Sequence, residues 1–332
     1  MRTFGFRRAG SVDDAIRSAQ DTDGTYLAGG TNLVDLMKNG VLQPSTLVDI
    51  RRLGLTSVTA TDTGGVRIGA GVTNSAVANH PLIRTQYPVL SQAILSGATT
   101  QLRNMATVGG NLLQRTRCPY FMQTEFDRCN KRVAGSGCAA LDGFHREHAL
   151  FGASEHCVAV NPSDMAVALS ILDAVVHVQG PDGARSIPIA EFYTLPGDTP
   201  QRENRLRPAE LVLAVELPPS PYAAHSWYLK LRDRHSYAFA LVSVAVGVEL
   251  IDGVIESAAI ALGGVAPLPW RVPAAEAVLA GQRPDDAVLR GAAEQAMSGA
   301  RPLSQNAFKV ALGRSAVHRA LVRALGSGGL AD

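Results

Sequence analysis

All four cysteines of this 332-residue chain, Cys118, Cys129, Cys138 and Cys157, fall within forty consecutive positions. Thiols serve as metal ligands and redox groups, so their crowding is a chemical signal. The ten, eight and eighteen residues between them match neither the C-x2-C knuckles of zinc sites nor the C-x2-C-x2-C run of ferredoxin-type clusters. Spacing alone leaves three readings open: paired disulfides, a structural zinc ion, or an iron–sulfur cluster on four thiolates. Arg115, Arg117, Arg128, Lys131, Arg132 and Arg146 share the stretch and would suit a negatively charged cluster, or equally a solvated basic face. His145, His148 and His156 are expected as polar surface residues, because four thiolates already complete a tetrahedral set.

A second signal is a pair of Gly-Gly stretches, Leu27-Ala28-Gly29-Gly30-Thr31-Asn32-Leu33 and Arg103-Asn104-Met105-Ala106-Thr107-Val108-Gly109-Gly110-Asn111. Glycine permits φ > 0 and close backbone approach, so a Gly-Gly turn beside Thr or Asn can aim several N–H groups at one anion. Two such turns could clasp one diphosphate. Neither has the G-x-x-x-x-G-K-[ST] or G-x-G-x-x-G pattern, so a nucleotide here belongs to a different fold. Ser, His and Asp occur near the cysteines without a nucleophile motif such as G-x-S-x-G, and no catalytic dyad is assigned.

The elements that position these stretches read as follows. A strand over 3–9 precedes a helix opened by the capping pattern Ser11-Val12-Asp13-Asp14. A strand from Thr25 runs into the first Gly-Gly turn, where Thr31 or Asn32 caps a short helix bearing Leu33, Leu36 and Met37, and Thr46 to Ile50 is the next strand. Val66 to Ala70 is a strand, and helices begin at Asn74 and Pro88, the second leading to the second Gly-Gly turn. From Gln114 to Cys157 no period is sustained. Ser163 or Asp164 caps a helix through Leu172, a hairpin turns about Pro181-Asp182-Gly183, and Leu211 to Leu217 is a strand closed by Pro218-Pro219. Strands Ala238 to Leu250 and Val254 to Leu262 meet at Asp252-Gly253, a strong hairpin signal, and three helices follow.

Lys+Arg 31 against Asp+Glu 29 gives a net charge of +2 with no long basic run, which argues against a nucleic-acid partner. The longest apolar run, Ala238 to Val248, is too short for a membrane span, and the first twenty residues have no apolar signal-peptide core.

The two Gly-Gly stretches, followed by Pro162-Ser163-Asp164, resemble the FAD-binding subunits of molybdenum hydroxylases, the xanthine dehydrogenase and carbon monoxide dehydrogenase group. Arg117-Cys118-Pro119-Tyr120-Phe121, Cys129-Asn130-Lys131-Arg132, Gly137-Cys138-Ala139-Ala140 and Ser154-Glu155-His156-Cys157 are similar to the branch typified by bacterial periplasmic aldehyde oxidoreductase. In that branch the flavin subunit carries an extra 4Fe-4S cluster. The 4-hydroxybenzoyl-CoA reductases, which also have a cluster-bearing insertion, are less similar.

The resemblance implies an α+β fold: a two-part FAD-binding domain of the PCMH/vanillyl-alcohol-oxidase-like type plus a CO dehydrogenase flavoprotein C-terminal-like α+β domain. It divides the chain into subdomain 1 over 1–57, subdomain 2 over 58–219 with the cysteine-rich insertion 114–157, and the tail domain over 222–328. It implies FAD held by Ala28, Gly29, Gly30, Thr31, Asn32 and Leu33 and by Thr107, Gly109, Gly110 and Asn111 around the diphosphate. Asp164 would accept from a ribose or ribityl hydroxyl, Val212 would lie along the flavin, Lys230 near the ring, and Tyr237 against it. Cys118, Cys129, Cys138 and Cys157 become the 4Fe-4S ligands. The implied activity is an oxidoreductase subunit passing electrons from the 2Fe-2S clusters of a small partner through FAD to an external acceptor. Substrate oxidation would belong to a large molybdenum-cofactor subunit. Its implied location is the cytoplasm, or the periplasm if a signal-bearing partner exports the complex. Two rivals stand beside this reading: a self-sufficient flavin oxidase and a zinc-stabilised assembly subunit.

Overall fold

The computed structural model describes residues 1–326. Its first part is β1 (Gly5–Arg8), α1 (Val12–Thr22), β2 (Thr25–Leu27), α2 (Leu33–Lys38) and β3 (Thr46–Asp49). The strands pair in parallel in the order β1-β3-β2. Ser11 caps α1 by accepting from the Asp14 amide, as its pattern predicts. The helix then runs on to Thr22.

The middle part comprises β4 (Val58–Ala60), β5 (Val66–Gly69), α3 (Asn74–Asn79), α4 (Pro81–Gln86), α5 (Pro88–Ser96), α6 (Thr100–Met105), α7 (Val108–Leu112), α8 (Pro119–Met122) and α9 (Asp164–Ile171). It closes with β6 (Val175–Gly180), β7 (Gly183–Pro188), α10 (Ile189–Phe192) and β8 (Leu211–Leu217). The five strands form an antiparallel sheet ordered β4-β5-β8-β6-β7. α9 carries apolar residues all round and is buried from Met165 to Ile171, the mark of a central helix. Between residues 114 and 157 α8 is the one described helix, and the chain is tied by isolated bridges, Cys129 to Cys138 and Ser154 to Cys157.

The last part is β9 (Ser226–Leu231), β10 (Val242–Ile251), β11 (Val254–Gly263), β12 (Trp270–Arg271), α11 (Pro273–Leu279), α12 (Asp286–Ala296) and α13 (Phe308–Ala324), with sheet order β12-β11-β10-β9. Asp252 and Gly253 both take positive φ, 52° and 75°, which is the turn their pairing predicts. β10 starts at Val242 rather than Ala238, because residues 232–241 form a loop in which Tyr237 takes φ 51°. Residues 327 and 328, the end of the expected tail domain, lie outside the described residues. No described helix is long and apolar enough to cross a membrane.

The tail clamps the cysteine-rich insertion. His145 and His148 are each 4 % exposed, so they are not surface histidines as expected. His145 binds the Ala140 carbonyl and the Ser304 hydroxyl, and Asn306 donates to the His148 carbonyl. Lys309, fully buried, donates to the carbonyls of Glu147, His148 and Gly264. Burial lowers its pKa to about 7, Glu147 opposing and Arg146 adding to the shift. Lys309→Met leaves three carbonyls without this donor and is expected to cost about 2 kcal/mol in denaturant unfolding at pH 7. The folded-state pKa lies below the unfolded one, so this lysine makes wild-type stability rise from pH 7 towards pH 10. The gap to the variant should widen over that range.

Candidate functional site

The two Gly-Gly stretches meet, although their local forms differ. Gly30 in the first takes φ 75°, the left-handed region a side chain would resist. Gly109 and Gly110 are helical, inside α7, whose cap Thr107 accepts from the Gly110 amide. The second stretch is thus a helix start rather than a turn. Gly29 packs on the Met105 carbonyl so closely that a Cβ there would lie 1.9 Å from the oxygen. Asn32 starts α2 without capping it, its Oδ1 accepting instead from the Arg115 amide at 3.1 Å.

Beside this junction is a cleft of about 800 Å³, of the size that holds a large cofactor. Thr31, Asn32, Gly110, Asn111, Asp164, Lys230 and Tyr237 line it. Ala28, Gly29, Gly30, Leu33, Thr107 and Gly109 do not line it. Val212 does not line it either: it sits in β8, paired with Val178 and 3 % exposed in the core.

One end of the cleft carries a buried charge group. Ser163, not Asp164, caps α9. The Asp164 carboxylate is free for other partners and accepts from Lys230 Nζ at 2.7 Å and the Tyr228 hydroxyl at 2.6 Å. Lys230 also donates to the Ser96 carbonyl, and its side chain is 3 % exposed. Burial, then the adjacent carboxylate, pushes the Tyr228 phenol well above its ordinary pKa, so it remains a donor. Tyr228 and Lys230 sit two apart on β9 and therefore share a face. That alternation is the signal by which Tyr228 could have been found. Tyr237, on the loop above, is exposed, with Arg234 against its ring.

The cleft wall carries polar groups that are incompletely paired. Asn32 Nδ2, Asn74 Oδ1, Arg103 Nε and Arg117 Nε are buried without hydrogen-bond partners, and all four residues line the cleft. Buried polar atoms are rarely left so, and a bound polar ligand would complete them. Arg117 binds Asp35 at 2.6 Å and lies over Phe239. The pattern of three donors and one acceptor fits a ligand with an anionic centre and hydroxyl groups, which a flavin dinucleotide has.

Cys118, Cys129, Cys138 and Cys157 line one shared pocket next to Arg128 and Lys131, and none is in a disulfide. Burial pushes the Cys118 thiol up to about 12 and raises that of Cys157, against which Lys131 acts. His148 Nε2 lies 3.2 Å from Cys118 Sγ. Among the described residues no three His, Cys, Asp or Glu side chains converge tightly enough to hold a metal ion. Cys129 also packs with Phe121 against Leu36 of α2, so the cysteine pocket braces the helix that follows the first Gly-Gly turn.

Comparison with known proteins agrees with this architecture. Residues 2–220 match the FAD binding domain in molybdopterin dehydrogenase, and residues 227–326 match the CO dehydrogenase flavoprotein C-terminal domain. The aldehyde oxidoreductase FAD-binding subunit PaoB of Escherichia coli K12 is 49 % identical over 326 residues, covering 98 % of this chain and 99 % of that protein. The carbon monoxide dehydrogenase medium chain of Afipia carboxidovorans is 26 % identical over 86 % of this chain and 83 % of its own. The solved CO dehydrogenase of Oligotropha carboxidovorans superposes with a TM-score of 0.77, covering 98 % of both chains at 24 % identity, a likeness of fold. The first Gly-Gly junction, the polar cleft and the two matched domains together make this chain a member of the FAD-binding subunits of the molybdenum hydroxylases.

Proposed function

We propose that this chain holds FAD in the cleft between the Gly-Gly junction and the Asp164–Lys230 pair. It would serve as the electron-transfer subunit of an aldehyde-oxidising complex with a large molybdenum-cofactor subunit and a small 2Fe-2S subunit. The observation that carries the reading is the wall itself: the unpaired Asn32, Arg103 and Arg117 donors and a buried cation, Lys230, line one cleft. The near-half identity to an aldehyde oxidoreductase subunit favours that substrate class over xanthine or carbon monoxide.

FAD, when bound, accepts electrons singly and releases them singly or in pairs to an external acceptor. The chain's own residues bind and orient it. Backbone amides of the two stretches and the Thr31, Asn32 and Asn111 side chains would face the diphosphate, with Thr107 holding the start of α7 behind them, while Asp164 would take a ribose or ribityl hydroxyl. Lys230, held by Asp164, stabilises negative charge near the ring, and Tyr237 covers the opening.

The four cysteines are read as ligands of a 4Fe-4S cluster. What supports this reading is that all four line one shared pocket and none is in a disulfide, as ligands of one cluster would be. Arg128 and Lys131 line the same pocket and, though paired with Asp142 and Glu203, bring positive charge towards the thiolates.

Anaerobically purified chain is expected to give flavin bands over a broad iron–sulfur absorption, with equal iron and acid-labile sulfide. Cys129→Ser should remove the iron and sulfide. Zinc without sulfide would overturn the cluster while keeping the flavin, and a colourless wild type would overturn both.

A further inference from the structure

Asn74 lies at the cleft outside both Gly-Gly motifs. It follows Thr73, the cap of α3, so helix formation asks nothing of its side chain. Its amide donates to the Ala106 carbonyl at 2.8 Å, and Thr73 is bridged to Thr107, so its backbone is pinned to the second Gly-Gly stretch. Ala106 adjoins Met105, the residue on which Gly29 packs, which puts Asn74 at the junction of both stretches. The residue lines the cleft, is 4 % exposed, and its Oδ1 has no partner. A buried, unpaired carboxamide oxygen destabilises the protein unless something supplies a proton donor.

We propose that Asn74 is a specificity-determining residue for the flavin nucleotide, accepting a hydrogen bond from a sugar hydroxyl next to the diphosphate. This rests on the FAD reading above. The diphosphate itself offers no proton at neutral pH, so an acceptor at the junction selects the neighbouring hydroxyls. Those belong to the ribityl chain on one side and the adenosine ribose on the other. Free inorganic diphosphate, lacking them, offers Asn74 Oδ1 no donor.

The test compares full-length wild type, Asn74→Leu and the smaller Asn74→Ala, each freed of flavin and titrated with FAD, FMN and ADP by fluorescence and thermal shift. Both variants are expected to weaken FAD binding by about 10-fold. A weakening shared by FMN assigns the ribityl hydroxyl, and one shared by ADP assigns the ribose. Flavin-free Asn74→Leu should melt no lower than flavin-free wild type, because an unpaired polar group has been removed, and only its FAD-induced shift should shrink. A variant that melts lower without flavin but binds FAD normally would make Asn74 structural and overturn the proposal. So would affinities within about two-fold of wild type for both variants. A wild type that takes no FAD would instead defeat the reading on which this one rests.

Discussion

Gly29→Ala is expected to reduce FAD affinity on the order of 100-fold, the loss of several backbone contacts to the cofactor at once. The added Cβ would stand 1.9 Å from the Met105 carbonyl oxygen and 2.7 Å from its carbon. Both are main-chain atoms, so no rotamer change relieves the overlap. The two Gly-Gly stretches must move apart. Met105 precedes Ala106, which binds the Asn74 amide, and Thr107, which caps α7, so the displacement spreads through the cleft floor. Gly291→Ala makes the control. Its Cβ would meet only Val278 at 3.7 Å, and alanine favours α12, so flavin binding should stay unchanged and stability rise by up to about 1 kcal/mol. Equal FAD affinity for Gly29→Ala and wild type, by fluorescence titration, would show that the junction tolerates separation.

What the sequence made legible was local. The Ser11 cap, the Asp252-Gly253 hairpin, Ser163 as one of two offered caps and a strand in the apolar run of β10 each depend on a few neighbouring residues and are found, though β10 begins four residues later than the run. The Gly-Gly stretches announced close backbone approach, yet not to what. Gly29 meets Met105 and Asn74 meets Ala106 only because distant segments fold together. Short helix α6 and strand β9 went unread for want of length to express a period. His145 and His148 looked like surface residues because the partners that bury them, Ser304, Asn306 and Lys309, lie about 160 positions away. Sequence suggested either a helix cap or a hydroxyl acceptor for Asp164. Ser163 takes the cap, leaving the carboxylate to Lys230 and Tyr228.

That last arrangement sets the second large effect. Lys230→Met removes the cation from a pair whose side chains are 3 % and 10 % exposed, leaving the Asp164 carboxylate buried with only the Tyr228 hydroxyl. Breaking a buried pair from one side costs about 3 kcal/mol or more, because the remaining charge has lost its solvent and its partner. Asp164→Asn in the Lys230→Met background removes that stranded charge. The double variant should therefore be more stable than Lys230→Met alone, by about 1 kcal/mol or more, a coupling that denaturant unfolding of the four chains measures directly. Flavin separates two roles for the lysine. If Lys230 only anchors Asp164, Lys230→Arg, which keeps the charge, and the double variant should both retain wild-type midpoint potential in any FAD they hold. If the cation also stabilises negative charge on the ring, the potential falls in the double variant and recovers in Lys230→Arg. The expected result is the second, because among the described residues Asp164 supplies the one carboxylate paired with Lys230, and the lysine lines the cleft together with Tyr237.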